Sequence, residues 1–153
     1  MSDHQTVLMV DDDHDIVYAA CMRLRAAGYS TLEASDGNSG VTAAIAAKPD
    51  LILLDMRMPH KDGLATLMDL KRCSETKNTP VIVLSASILD QDAALKAGAS
   101  FFIRKPYSGA TLIRAVRTAI DMHTTAGLPM ADGYLQPSQS LGLAIDLPSA
   151  VRY

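Results

Sequence analysis

Leu51-Ile52-Leu53-Leu54-Asp55 decides the fold. Four consecutive Leu/Ile residues are too few for a helix and show no alternation, so they read as a strand covered on both faces. The run ends on an aspartate. Working outward, the same form recurs in Thr6-Val7-Leu8-Met9-Val10 before Asp11, in Val81-Ile82-Val83-Leu84 before Ser85, and in Phe101-Phe102-Ile103 shortly before Lys105. Tyr29–Ala34 is a further strand, partly alternating. Between the strands the apolar period lengthens. Ile16, Ala20, Leu24 and Ala27 recur at helical spacing, with Asp13 as N-cap and Gly28 as stop. Val41–Ala47 is an Ala-rich helix set off by Asp36-Gly37 and ended by Pro49. Leu64, Leu67 and Leu70 mark the next helix, after the Pro59–Gly63 loop, and residues 90–97 a short one that stops at Gly98. The last helix starts near Ser108 and carries Leu112, Val116 and Ala119. Five β–α units in strict alternation predict a three-layer α/β domain, a parallel sheet with helices on both faces. The domain is predicted to span 1–124. Residues 125–153, punctuated by Gly127, Pro129, Gly133, Pro137, Gly142 and Pro148, are predicted as a tail or linker.

Composition narrows the class. With 48% hydrophobic and 20% charged residues, a chain of 153 can bury a core without disulfides or a structural metal. The formal charge is −3, and no basic field for nucleic-acid binding is expected. Of 17 acids, 15 are Asp, a residue of caps, turns and hard-cation sites rather than of helix interiors. Cys21 and Cys73 have no CxxC spacing and are expected to be small buried hydrophobes in a reducing compartment. Val7–Val10 is too short for a signal-peptide core and runs straight into three acids, and the strand-like runs are too short to span a bilayer. The expectation is a cytoplasmic protein with no membrane partner.

In an open parallel sheet, sites form outside the carboxyl ends of the strands. Those ends carry Asp11 and Asp12, Asp55, Ser85 and Lys105, drawn from positions up to 94 residues apart. Each has a plain structural reading: a helix cap, a turn residue, a solvated charge. Five such groups at one register are poorly explained as coincidence. Three crowded carboxylates repel one another and need a cation, and a few hard oxygen ligands suit Mg²⁺. A neighbouring lysine and hydroxyl can grip a transferring phosphoryl group.

With these residues in place, the chain resembles response regulator receiver domains. The resemblance rests on Val10-Asp11-Asp12-Asp13, on Asp55-Met56-Arg57-Met58-Pro59 with Asp62-Gly63, on Ser85-Ala86 and on Lys105-Pro106, in that order over residues 5–123. It implies a flavodoxin-like sheet of strand order 2-1-3-4-5. It implies Asp55 as phosphoacceptor, charged by a histidine kinase or histidine phosphotransfer protein, and a Mg²⁺ site of Asp11, Asp12, Asp55 and the backbone carbonyl of Arg57. Lys105 would hold the phosphoryl group. Ser85 and Phe102 would form the switch, the ring turning inward as the hydroxyl moves. The Lys105–Pro106 bond would be cis. Such a domain is a regulatory phosphoacceptor rather than an enzyme, acting on a downstream protein target and in some cases through a phosphorylation-dependent homodimer.

The sequence departs from that pattern in three places. Asp13 is a third consecutive acid, predicted to cap the helix. Phe102 lacks a tyrosine hydroxyl, so its switching must act through packing. The stretch from Ser85 to Gly98 is slightly short, which trims the fourth helix or its leading loop. Arg57 and Ser87 stand where the family tunes phosphate lifetime. His14, His60 and His123 are expected at the surface, and the eight Met residues as core filler. A rival reading is a Mg²⁺-dependent phosphatase with an Asp nucleophile, whose DxDx[TV] motif Asp11 and Asp13 match in spacing but not in the residues that follow. Flavodoxin-type electron transfer is a second rival, without the Ser/Thr/Gly-rich phosphate loop it requires. No DNA-binding segment is expected within residues 125–153, so the reading is of a stand-alone receiver.

Overall fold

The apolar runs become strands within a residue of where the sequence puts them. The computed structural model describes residues 4–126. Strands β1 (Thr6–Val10), β2 (Ser30–Ala34), β3 (Leu51–Asp55), β4 (Val81–Ser85) and β5 (Phe101–Arg104) alternate with helices α1 (His14–Ala26), α2 (Gly37–Ala47), α3 (Gly63–Arg72), α4 (Asp90–Lys96) and α5 (Gly109–Ala126). All pairings are parallel, and the strand order is β2-β1-β3-β4-β5. The fold is therefore the doubly wound, flavodoxin-like one that the resemblance implies.

Strand alternation divides the core in two. Val7, Met9, Leu51, Leu53, Ile82 and Leu84 pack with Leu24, Leu112 and Val116 of α1 and α5. Leu8, Val10, Ile52, Leu54, Val81 and Val83 pack with Ala44, Leu67, Leu70 and Ala94 of α2, α3 and α4. Successive side chains of each strand thus enter opposite layers. This is why the central runs are apolar at every position. At the edge, β2 is largely uncovered, which accounts for its alternating sequence.

Caps set the helix starts. The Asp13 carboxylate accepts from the Asp15 and Ile16 amides, as expected of an N-cap. Asp36 and Ser39 form a capping box, so α2 begins at Gly37, earlier than the Ala-rich stretch predicts. Gly28 ends α1 at φ +99°, a conformation L side chains rarely adopt. At the far end α5 continues to Ala126, past the predicted boundary at 124, with Thr125 bonding back to Asp121. The remainder of the predicted tail, 127–153, lies outside the described residues.

Two smaller expectations need correcting. Cys21 is buried, but Cys73 is only half-buried at the end of α3, where its thiol donates to the Glu75 carboxylate at 2.7 Å. Met9, Met56 and Met58 fill core space, whereas Met22 and Met68 are exposed. Amphipathic position, not residue type, decides which methionines go inside.

One backbone contact shapes the edge where the acids gather. A Cβ on Gly63 would lie 2.3 Å from the Asp55 carbonyl oxygen and 2.6 Å from Met56 Cα. Only glycine lets α3 start this close to the end of β3, and the Gly63 amide donates to the Met56 carbonyl at 2.9 Å. Gly63→Ala is expected to lower stability by about 1–3 kcal/mol, as overpacking does, measured by urea unfolding. Unchanged stability would show that the loop can yield without cost.

Candidate functional site

The strand ends bring the predicted acids together. Asp55 is the last residue of β3, and Asp11 and Asp12 follow β1, its hydrogen-bonded neighbour. One carboxylate oxygen from each of the three lies within 4.8 Å of the others. Asp11 and Asp55 are buried, at 2% and 4% exposure, while Asp12 is exposed. The backbone fixes this arrangement: Asp11 N–H donates to the Ala34 carbonyl, and Met56 N–H to that of Leu84. Asp11 also accepts from the Asp13 amide at 2.9 Å.

Lys105 arrives from the end of β5. Its own amide donates to the Ser85 carbonyl at 2.7 Å, and its ammonium donates to Asp55 at 2.6 Å and Asp11 at 3.4 Å. The Lys105–Pro106 bond is cis, as the resemblance implies. Burial raises the pKa of both Asp11 and Asp55 above the ordinary carboxylate value, more than their partners lower it. Burial alone would lower the Lys105 pKa, but the bond and charge of Asp55, with Asp11 behind it, raise it on balance. Beside Lys105 a cleft of about 510 Å³ opens between α1 and α5, lined by Ile16, Ala20, Arg23, Tyr107 and Leu112 among others. Burial also raises the pKa of the Tyr107 phenol.

Ser85 and Phe102 are placed differently. Ser85 ends β4 in the row of Val81 and Val83, whereas Asp55 follows Leu51 and Leu53 on the opposite row. The Ser85 hydroxyl donates not to Asp55 but to Asp90, at 2.6 Å, and accepts from the Ser87 amide at 3.1 Å. Phe102 is already inside at 3% exposure, packed in the layer of α2, α3 and α4. The resemblance implies a ring that starts outside. With no hydroxyl to keep in water, this ring gains by burial at once. The exposed guanidinium of Arg57 donates to Asp90 at 3.0 Å.

Asp90 is the residue that sequence reasoning did not single out. It reads there only as the first acid of a short helix. Its spacing from Ser85, five positions on across a loop, gives no motif that would have marked it.

Two buried carboxylates, one exposed one and no softer donor form a hard-oxygen set that fits a small divalent cation. A doubly wound sheet with an acidic cluster and a lysine at its carboxyl edge defines a receiver-type domain. The family model of the response regulator receiver domain matches residues 7–117, and the chain belongs to that family. Such domains are regulatory phosphoacceptors that pair with histidine kinases and act on downstream targets, so the phosphatase alternative falls away.

The chain is 34% identical over 83% of its length to the transcriptional regulatory protein CseB of Streptomyces coelicolor. It spans about half the length of the curated relatives it matches, 54% of CseB. Among solved structures it is similar to the chemotaxis protein CheY4 of Vibrio cholerae, at 28% identity and a TM-score of 0.72, covering 76% of this chain and 99% of that one. It is also similar to the receiver domain of the sensor histidine kinase PA1611 of Pseudomonas aeruginosa, which carries a magnesium ion in its active-site cleft. There the identity is 29% and the TM-score 0.73, with 78% of this chain and 99% of that one covered.

The raised carboxylate pKa values have a sign that can be tested. A group that holds its proton more tightly when folded destabilises the fold as pH rises past its unfolded value. In chelator, Asp55→Asn is therefore expected to gain stability relative to the wild-type chain between about pH 4 and pH 7. Urea unfolding at the two pH values measures this. A constant difference, or one of the opposite sign, would contradict the burial of an ionised Asp55.

Proposed function

We propose that Asp55 accepts a phosphoryl group from a phosphohistidine of a histidine kinase or histidine phosphotransfer protein. The observation that carries this reading is the Lys105 ammonium bonded to both Asp55 and Asp11 inside a buried acidic cluster. In the transfer, an Asp55 carboxylate oxygen attacks phosphorus as the P–N bond to the histidine breaks. The electron pair of that bond stays on the imidazole nitrogen, and with the other ring nitrogen protonated the imidazole leaves neutral, so no further acid is needed. Lys105 sits where it can follow the charge from the carboxylate to a phosphoryl oxygen. In this reading Asp11, Asp12, Asp55 and the Arg57 carbonyl hold Mg²⁺, which supplies charge neutralisation at the acidic cluster when bound.

Ser85 is proposed to donate to a second phosphoryl oxygen. Phe102, packed in the same layer, feels any movement of the β4 end and serves as the apolar part of the switch. The phosphoryl group adds about −1.5 to −2 charge, enough to reorder the adjoining loops. The exposed Tyr18 and Met22 of α1, on the helix that lines the cleft beside Lys105, support docking of the phosphodonor on that side. Output is proposed to run through protein contacts of this net-acidic chain. Among the described residues no helix is long and apolar enough to cross a membrane, and the reading places the domain in the cytoplasm.

Acetyl phosphate with Mg²⁺, followed by intact mass, tests the reading. One phosphoryl group is expected on the wild-type chain, none on Asp55→Asn, and none in EDTA. Labelling of Asp55→Asn, or labelling indifferent to EDTA, would contradict it.

A further inference from the structure

Asp90 opens α4 with its side chain 15% exposed, and both of its carboxylate oxygens are engaged away from the helix. Oδ2 accepts the Ser85 hydroxyl at 2.6 Å, and Oδ1 accepts Arg57 Nη2 at 3.0 Å. An acid in the first turn ordinarily serves the free N–H groups and the dipole of its own helix. Here α4 has no side-chain cap bond, and its first carboxylate turns back across the loop. One side chain thereby ties the end of β4 to the loop that follows β3, the two segments flanking Asp55.

A hydroxyl has one proton to give. Ser85 cannot donate at once to Asp90 and to a phosphoryl oxygen on Asp55. Its other hydrogen bond, from the Ser87 amide, uses a lone pair and leaves that proton free to change partner. We infer that Asp90 is a positioning residue that holds the Ser85 hydroxyl in the unphosphorylated domain and so sets how tightly the phosphoryl group is gripped. The inference rests on the phosphoacceptor reading above and names one term that opposes it. Release of Ser85 exchanges one anionic acceptor for another, so the two states stay close in free energy, as a switch requires. The Arg57 contact adds little, because that guanidinium is 71% exposed and such pairs are weak.

The test uses the full chain with Mg²⁺ and beryllofluoride, a phosphoryl mimic, with its affinity followed by fluorine NMR. Asp90→Ala is expected to bind beryllofluoride about tenfold more tightly than wild type, the worth of one charge-assisted hydrogen bond no longer broken. Asp90→Asn keeps an acceptor oxygen but loses the charge, and is expected between the two. In a Ser85→Ala background the effect of Asp90→Ala is expected to shrink to about twofold or less, since no hydroxyl remains to be released. A purely structural role would change affinity equally in both backgrounds. Equal affinity of wild type and Asp90→Ala, or an equal gain with and without Ser85, would overturn the role of Asp90 while leaving the phosphoacceptor reading intact. No binding of beryllofluoride by wild type would overturn both.

Discussion

Two carboxylates buried side by side under one ammonium are the constraint on which the rest of this domain turns. Removing an ion from water costs several kcal/mol even after relaxation, and like charges add to that cost. Asp11 and Asp55 meet that cost with little help: Lys105 bonds both and the Asp13 amide donates to Asp11, while the charge of the exposed Asp12 adds repulsion at Asp55. Their pKa values rise as a result. A cluster so far from electrostatic comfort favours additional positive charge, and the addition or loss of charge there is felt by every loop that supports it.

The sheet turns that local imbalance into a geometry. Because side chains alternate between layers, Asp55 belongs to the row facing α1 and α5, and Ser85 and Phe102 to the layer of α2, α3 and α4. The acidic site and the proposed switch residues are thus neighbours along the sheet edge but anchored in different cores. Gly63 pins the loop after β3 against the backbone of Asp55, and Lys105 is tied through its amide to the Ser85 carbonyl. In the proposed switch, a change at Asp55 passes into the second layer through these backbone ties and through Asp90.

Most of this was legible in the residues. Runs such as Leu51–Leu54 announce a doubly covered strand, and the register rule then places Asp11, Asp12, Asp55 and Lys105 on one edge without further knowledge. Caps were harder: α2 starts at a capping box that reads as a Gly-containing break, and α5 outlasts its last clear apolar positions. The partner of Ser85 was not legible at all. A hydroxyl at a strand end can turn toward either layer, and the choice depends on where the loop after it returns a carboxylate. The burial of Phe102, by contrast, is what a strand covered on both faces calls for, and its ring lies in the cluster that holds Met56, Val83 and Ala94.

The central claim is that Asp55 carries the phosphoryl group as an acyl phosphate. Borohydride reduces an acyl phosphate of aspartate to homoserine and leaves free carboxylates untouched. Treating the protein with acetyl phosphate and Mg²⁺, reducing it, and mapping its peptides by mass spectrometry would locate the acceptor directly. The account predicts homoserine at position 55 alone. Homoserine at position 11 or 12, or none at any position in protein that has gained a phosphoryl group, would contradict it.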